Sequence, residues 1–294
     1  DWRGSNCSNK KSFTIDKHEN IYFARVKTNG EFILNKYSDN SSVIWSKTIT
    51  LSTSPENLQI SSMDVDSGDN IYIVGGSPSL NSFYLIKLNS SGDLIYEKSM
   101  NNSGTGACQV MVDEGYHGGI YVTGTIWQTD RYDAFLAKYD FYGNRQDIQY
   151  FGTPGNDYPQ RMTNDLWSII IVGTTENTFF YSGHKPGSTD IFLHSFLKGS
   201  NGFTKKNILE FGGSSADSIS SIHVSGGTHY SDYDWLSSYD LSQIQGNRVY
   251  NNSTFRVNEY AYPSLYVTGY VENEISDTIR VEYRVKDENV ETIN

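Results

Sequence analysis

The chain has 294 residues, a formal net charge of −11 and 14% aromatic residues, 22 of them Tyr. No apolar run reaches the roughly 18 residues of a helical membrane span. The acidic balance, with no basic stripe, excludes nucleic acid and anionic membrane surfaces as partners, because both need clustered Lys and Arg.

The length suits one domain with a substantial interior. Residues 1–11 read as an N-terminal segment carrying Asn6 and Cys7. No signal peptide is visible, and the first residue is Asp1, as expected of a mature chain or a fragment. From residue 12 onward a unit repeats. Its phrase is Ile21-Tyr22-Phe23-Ala24-Arg25, which returns as Ile71-Tyr72-Ile73-Val74-Gly75 and Ile120-Tyr121-Val122-Thr123-Gly124. It continues as Ile169-Ile170-Ile171-Val172-Gly173, Ile222-His223-Val224-Ser225-Gly226 and Leu265-Tyr266-Val267-Thr268-Gly269. A strand-rich period of about 40–50 residues is the signature of a β-propeller.

A second phrase follows each first one, at residues 31–38, 82–89, 133–140 and 190–197, with weaker copies at 233–240 and 277–284. These runs are short, β-branched and aromatic. Clusters such as Thr28-Asn29-Gly30, Ser90-Ser91-Gly92-Asp93 and Tyr142-Gly143-Asn144 bound them, so they read as strands joined by tight turns. An innermost strand ends in an acidic turn at Asp16, Asp66 and Asp113, and an outer strand such as Val43–Thr48 or Asp147–Phe151 closes each unit. The expected fold is all-β, a propeller of about six four-stranded blades over residues 12–294. The repeats run about 12–51, 58–100, 107–152, 157–211, 214–250 and 253–294. Five or seven blades are the alternatives. A shifted register in the fifth unit leaves five blades plus an insertion of about 35 residues.

These units resemble the bacterial-type seven-bladed propeller repeat known as SBBP, with its Val-Asp, Gly-Asn-Ile-Tyr-Val-Thr-Gly and Asp-Ala-Phe-Val-Ala-Lys-Tyr-Asp phrases. Residues 110–152 match it almost throughout, and the likeness covers most of residues 12–288. The resemblance implies a propeller in an extracytoplasmic setting and implies no particular function.

Cys7 and Cys108 are an even number in a chain that reads as extracellular, and one intrachain disulfide is expected. Two unpaired thiols or an intermolecular bridge are the other readings. The intrachain Cys7–Cys108 bridge would carry the N-terminal segment across one mouth of the central channel. Sequons occur at Asn6, Asn40, Asn89, Asn101, Asn251 and Asn252. Asn40, Asn89 and Asn101 fall in expected turns, where N-linked glycans would be exposed; bare turn-forming Asn is the competing reading.

The search for chemistry finds little. Gly75-Gly76 and Gly212-Gly213 sit at strand ends or turns and open no helix, so no phosphate cradle forms. The six histidines show no metal-ligand spacing, and His223, in the place of the repeat's Tyr, reads as packing. Asp64, Asp66, Asp69 and Asn70 are the densest oxygen cluster. They coincide with the repeat's ordinary acidic turn and lack the later Glu of an EF-hand loop. Gln109, Gln160 and Arg161 on expected inner strands form no pair of catalytic carboxylates. No cofactor, metal or catalytic residue is therefore expected.

The loops between second and third strands carry aromatics: Trp127, Arg131 and Tyr132 in the third unit, Phe179, Phe180 and Tyr181 in the fourth, Tyr230 and Tyr233 in the fifth. Equivalent loops of successive blades gather on one face, and exposed aromatics suit sugars and protein partners. The alternative is that the long fourth loop folds down and buries its own rings. The reading is a non-catalytic extracellular propeller for assembly or adhesion, in one version the subunit of a surface glycoprotein fibre, with self-association or another extracellular protein as partner. A carbohydrate-binding propeller is the alternative, ahead of a propeller glycoside hydrolase or lyase.

Overall fold

A computed structural model describes residues 12–27, 31–52, 58–77, 82–101, 106–165, 167–177, 189–211, 217–225, 254–256 and 264–271. Four four-stranded antiparallel sheets follow one another along the chain, each with its strands in sequence order. The first blade holds β1 (Phe13–Ile15), β2 (Ile21–Val26), β3 (Phe32–Tyr37) and β4 (Val43–Ile49). The second holds β5 (Gln59–Val65), β6 (Ile71–Ser77), β7 (Ser82–Leu88) and β8 (Leu94–Asn101). The third holds β9 (Gly106–Asp113), β10 (Gly119–Gln128), β11 (Arg131–Tyr139) and β12 (Arg145–Phe151). The fourth holds β13 (Asp157–Asn164), β14 (Ser168–Thr175), β15 (Asp190–Lys198) and β16 (Phe203–Phe211). The innermost strands pack in succession, β1 on β5, β5 on β9 and β9 on β13. That series of inner edges with sheets stacked face to face is the propeller arrangement. It buries both apolar faces of a sheet that cannot cover itself.

A fifth sheet brings together β17 (Asp217–Ser225), β19 (Ser264–Val271) and β18 (Thr254–Arg256), in that order, and β13 packs on β17. Here the structure differs from the division of the sequence. The phrases at 222–225 and 265–269, expected as second strands of separate units, pair with each other, with Ile222 opposite Val267. Residues 222–225 thus belong to an inner strand, and only 265–269 occupy the second-strand place. The pattern alone could not separate the two, because both are β-branched runs with the same alternation. The weaker phrases at 233–240 and 277–284 lie outside the described residues.

Among the described residues, three apolar cores lie between consecutive blades. Tyr22, Phe32 and Leu34 meet Ile71, Ile73 and Ile86 in the first. Tyr72, Val74 and Leu85 meet Ile120, Val122 and Phe135 in the second. Tyr121, Leu136 and Phe151 meet Ile169, Ile171 and Phe192 in the third. The period of two along each strand sends alternate residues of one phrase to different cores.

In each of the first two blades the Asp, Asn and Tyr of the repeat form a polar cluster. Asp16 Oδ1 accepts the backbone N–H groups of His18 and Asn20, each at 2.9 Å. Its Oδ2 accepts the Tyr22 hydroxyl at 3.1 Å, and Lys36 Nζ lies 3.2 Å away. Burial opposes ionisation of Asp16, but donors from Asn20, Lys36 and His18 outweigh it and bring its pKa down to about 2. In the second blade Asp66 receives Asn70 and the Tyr72 hydroxyl in the same way. The cluster satisfies the turn's backbone donors and lets a buried Tyr keep its hydroxyl bonded.

The third-strand lysines tie blades together. Lys87 Nζ donates to the carbonyl of Phe141 at 3.2 Å. Lys138 Nζ donates to His117 O at 2.8 Å and crosses to the fourth blade's Gly199 O and Ser200 O at 2.7 and 3.1 Å. Lys198 returns from the fourth blade to Asp113 Oδ2 at 2.7 Å. Replacing Lys138 by Met keeps the stem and leaves three inward carbonyls without their donor. We expect a loss of about 3 kcal/mol in chemical denaturation; a change under about 0.5 kcal/mol would show that these contacts contribute nothing net.

Candidate binding surface

The β10–β11 hairpin turns tightly through Gln128–Arg131, with Thr129 at φ 40°. It places Trp127 directly opposite Tyr132. Their rings meet edge to face at 4.8 Å and 69°, and Tyr132 continues to Tyr158 of the fourth blade at 6.2 Å. Trp127 remains 41% exposed, so the ridge presents a supported indole to solvent. Of the expected binding residues, the structure brings Trp127, Arg131 and Tyr132 together. Phe179, Phe180, Tyr181, Tyr230 and Tyr233 lie outside the described residues.

Arg131 is held beside the ridge. Its Nε donates to Asp133 Oδ1 at 2.9 Å, and its Nη1 lies 3.5 Å from Asp130 Oδ1. Asn156, in the linker between β12 and β13, accepts the Tyr132 N–H at 2.9 Å and donates to Glu176 Oε2 at 2.5 Å. Three segments from two blades are thereby fixed around the hairpin.

Beneath lies a carboxylate pair that the sequence reading did not single out. A Cβ on Gly152 would sit 2.5 Å from Asp157 Oδ2 and 3.1 Å from Asp133 Oδ1, so both acids approach the same bare backbone. Asp157 is fully buried and accepts the Thr153 N–H at 2.7 Å. Thr153 Oγ1 in turn lies 3.0 Å from Thr175 Oγ1. Burial pushes the Asp157 pKa up to about 7, and the charge of Asp133 adds to it against the opposing bonds from Thr153 and Thr175. No local pattern marks this pair, because its two acids come from different blades.

The other sequence candidates are bonded in ways that explain them. Asp64 Oδ2 accepts the Val112 N–H at 2.7 Å, whereas Asp66 serves its own turn, so the two carboxylates act in different places. Among the described residues no group of three or more His, Cys, Asp or Glu converges as metal ligands. Gln109 joins inner strands of neighbouring blades, donating to Met162 O at 2.9 Å and accepting the Met162 N–H at 2.7 Å. Gln160 Nε2 reaches Thr174 Oγ1 at 3.4 Å, and Arg161 donates to Gln160 O at 2.8 Å. His194 is buried between Phe151 and Phe196, with ring centroids 4.9 and 4.5 Å away. Burial and then the charge of Lys205 lower its pKa to about 3.

Asn40 and Asn89 occupy the β3–β4 and β7–β8 turns as expected, but Asn101 is the last residue of β8, paired with Ser82. Asn40 Oδ1 accepts the Ser42 N–H at 3.1 Å; Asn89 Nδ2 donates to Asp93 Oδ2 at 3.2 Å. Asn6, Asn251, Asn252 and Cys7 lie outside the described residues. Cys108 is buried on β9 and is not a free thiol.

No protein-family model and no curated protein matches the chain. Among solved structures, the plexin A4 extracellular region is similar at 9% identity and TM-score 0.49, over 76% of this chain and 30% of that one. A Pseudomonas brassicacearum lignostilbene dioxygenase is similar at 12% identity and TM-score 0.39, over 67% of this chain and 47% of that one. A Bacteroides caccae protein of unknown function is similar at 8% identity and TM-score 0.35, over 67% of this chain and 81% of that one. The chain thus spans under a third of the plexin region that it matches. The propeller description stands on this chain's own strand order and sheet packing.

Proposed function

We propose that the chain is a non-catalytic extracellular propeller that acts by surface contact in assembly or adhesion, with the Trp127 ridge as its contact surface. The observation that carries this reading is the exposed indole braced by Tyr132 and flanked by Arg131. A rigid aromatic loses little entropy on binding, and Trp, Tyr and Arg are the side chains that dominate contact energies. The wider version is a surface glycoprotein subunit built from SBBP-like repeats. In that version Cys7 pairs with Cys108, and glycans sit at exposed sequons, with Asn40 the best placed.

A carbohydrate ligand is the second reading. Asp130 and Arg131 lie next to the indole, and a sugar ring stacked on Trp127 could bond to them. The test uses the whole chain on a glycan array and in sedimentation velocity, beside Trp127→Ala. We expect whichever contact is found to weaken about 30-fold in the variant, the effect of removing about 2 kcal/mol at an aromatic anchor. Equal binding by both chains would remove the ridge from the function. Glycan binding by a monomer would favour the sugar reading over assembly.

A further inference from the structure

Asp157 is a buried acid at the foot of the Trp127 hairpin, and its carboxylate closes the linker between β12 and β13. Besides the Thr153 N–H, the two carboxylate oxygens meet Thr153 Oγ1 at 3.2 and 3.3 Å. The hydroxyl chain runs on from Thr153 Oγ1 to Thr175 Oγ1 at 3.0 Å, and Thr175 donates to the Asn177 carbonyl at 2.7 Å. The same linker carries Asn156. Its side chain takes the Tyr132 N–H and reaches Glu176, and its carbonyl accepts the Glu176 N–H at 2.9 Å. Hairpin, linker and the end of β14 are thus one bonded unit.

Asp133 brings a second carboxylate into this unit from the hairpin side. Both acids crowd the place of the Cβ that Gly152 lacks, so they lie within about 6 Å of each other. That is the range in which one charge alters the ionisation of another. The charged groups around the pair are Arg131 on β11, Glu176 beyond β14, Asp190 on β15 and Lys205 on β16. Arg131 donates to Asp133, and the Lys205 ammonium feels the Asp133 charge. Asp190 stands across Thr175 from Asp157 by register. Among the described residues the bonds to Asp157 come from Thr153 and Thr175 and none comes from a cation.

The two protonation states order the unit differently. A protonated Asp157 donates to Thr153 Oγ1, Thr153 donates to Thr175 Oγ1, and Thr175 donates to the Asn177 carbonyl, so every hydroxyl proton is used once. An ionised Asp157 turns the Thr153 hydroxyl back on itself. Thr175 Oγ1 then loses that donor, and two carboxylates face each other out of water. Burial places this change near pH 7. Residues 152–156 lie between the paired parts of β12 and β13, so the linker can move outward without breaking a strand pair.

We infer that the Asp133–Asp157 pair is a proton-operated latch on the Trp127 hairpin. With Asp157 protonated the linker holds the hairpin tip through Asn156; with Asp157 ionised the linker draws back and the tip loosens. The ridge is therefore held most firmly on the acid side of neutrality. The inference deepens the ridge reading of the proposed function, but its test needs no ligand. A failed latch leaves the ridge as a contact surface, and a Trp127→Ala chain that binds normally leaves the latch measurable.

The test follows the ¹⁵N-labelled full-length chain by NMR from about pH 5.5 to about pH 8.5, across the window in which the acid titrates. The readouts are the Trp127 indole signal and the exchange protection of the Tyr132 N–H. We expect the indole signal to shift with a midpoint near pH 7. Tyr132 protection should fall at least about tenfold above it. The Met162 N–H, bonded to Gln109, should keep its protection. Asp157→Asn should abolish both changes. Asp133→Asn should keep them and lower the midpoint by about one unit, because the repelling charge is gone; this variant decides alone if Asp157→Asn fails to fold. An indole signal and Tyr132 protection that ignore pH in the parent chain would overturn the inference. So would changes that persist in Asp157→Asn, or a midpoint in Asp133→Asn that stays in place or rises.

Discussion

Asp157→Asn is expected to turn a nearly flat pH dependence of stability into a rising one. Two buried groups oppose each other in this molecule. Asp157 has a folded pKa of about 7 against an ordinary 3.8, so the folded state holds its proton longer than the unfolded chain. Its contribution to stability falls as pH rises from about 4 to about 7. His194 has a folded pKa of about 3 against 6.5, so the unfolded chain binds the proton first. Its contribution rises as pH climbs from about 3 to 6.5. Between about pH 4 and 6.5 the two slopes cancel, one proton against one. Asp16, held near 2, titrates below that window. With Asp157 replaced by Asn, the His194 slope stands alone, at about 1.4 kcal/mol per pH unit and so roughly 3 kcal/mol across the window. His194→Phe should show the mirror image, stability falling over the same range. Urea titrations at half-unit pH steps measure both. Parallel profiles for the parent chain and Asp157→Asn would show that Asp157 ionises normally beneath the Trp127 ridge.

Gly124→Ala is expected to be the most damaging methyl that can be added to the third blade. The new Cβ would lie 2.0 Å from Gly106 O and 2.8 Å from Ala107 Cα, both backbone atoms that cannot rotate away. The inner strand makes an irregular step against β10 between Thr123 and Gly124, which brings its carbonyl over the glycine. We expect a loss of about 3 kcal/mol or more, read as a thermal midpoint lower by about 6–12 °C. Arg25, the counterpart in the first blade, lies beyond the paired part of the inner strand, which ends with Phe13 opposite Phe23, and Arg25→Ala should cost under about 0.5 kcal/mol. A Gly124→Ala chain as stable as its parent would mean that β9 shifts away at little cost.

Much of this fold was legible because each blade repeats a local solution. The alternation in Ile120-Tyr121-Val122 declares a strand with two buried faces, and the Asp at the end of an inner strand declares the turn that follows. The same locality made Trp127, Arg131 and Tyr132 readable as one hairpin tip. Where partners are distant, the pattern was silent or ambiguous. Residues 222–225 and 265–269 carry similar phrases, and only pairing assigns one to an inner strand and the other beside it. Asn101 looked like a turn residue and proved to end β8, because its pairing with Ser82 outweighs the turn preference of Asn.

The candidate surface divides along the same line. The ridge residues are neighbours in sequence, whereas Asp133 and Asp157 meet only because the fourth blade begins beside the third, over Gly152. Lys138 likewise looks like any strand lysine until the fourth blade's turn carbonyls appear around it. The sequence by itself determined the all-β class, the repeat and the strand order within the first four blades. Those depend on alternation and turn chemistry within a few residues. The tertiary structure decided which acids approach each other and which lysines bridge blades. These outcomes depend on which repeats become neighbours in space, and that is set by the packing of whole sheets.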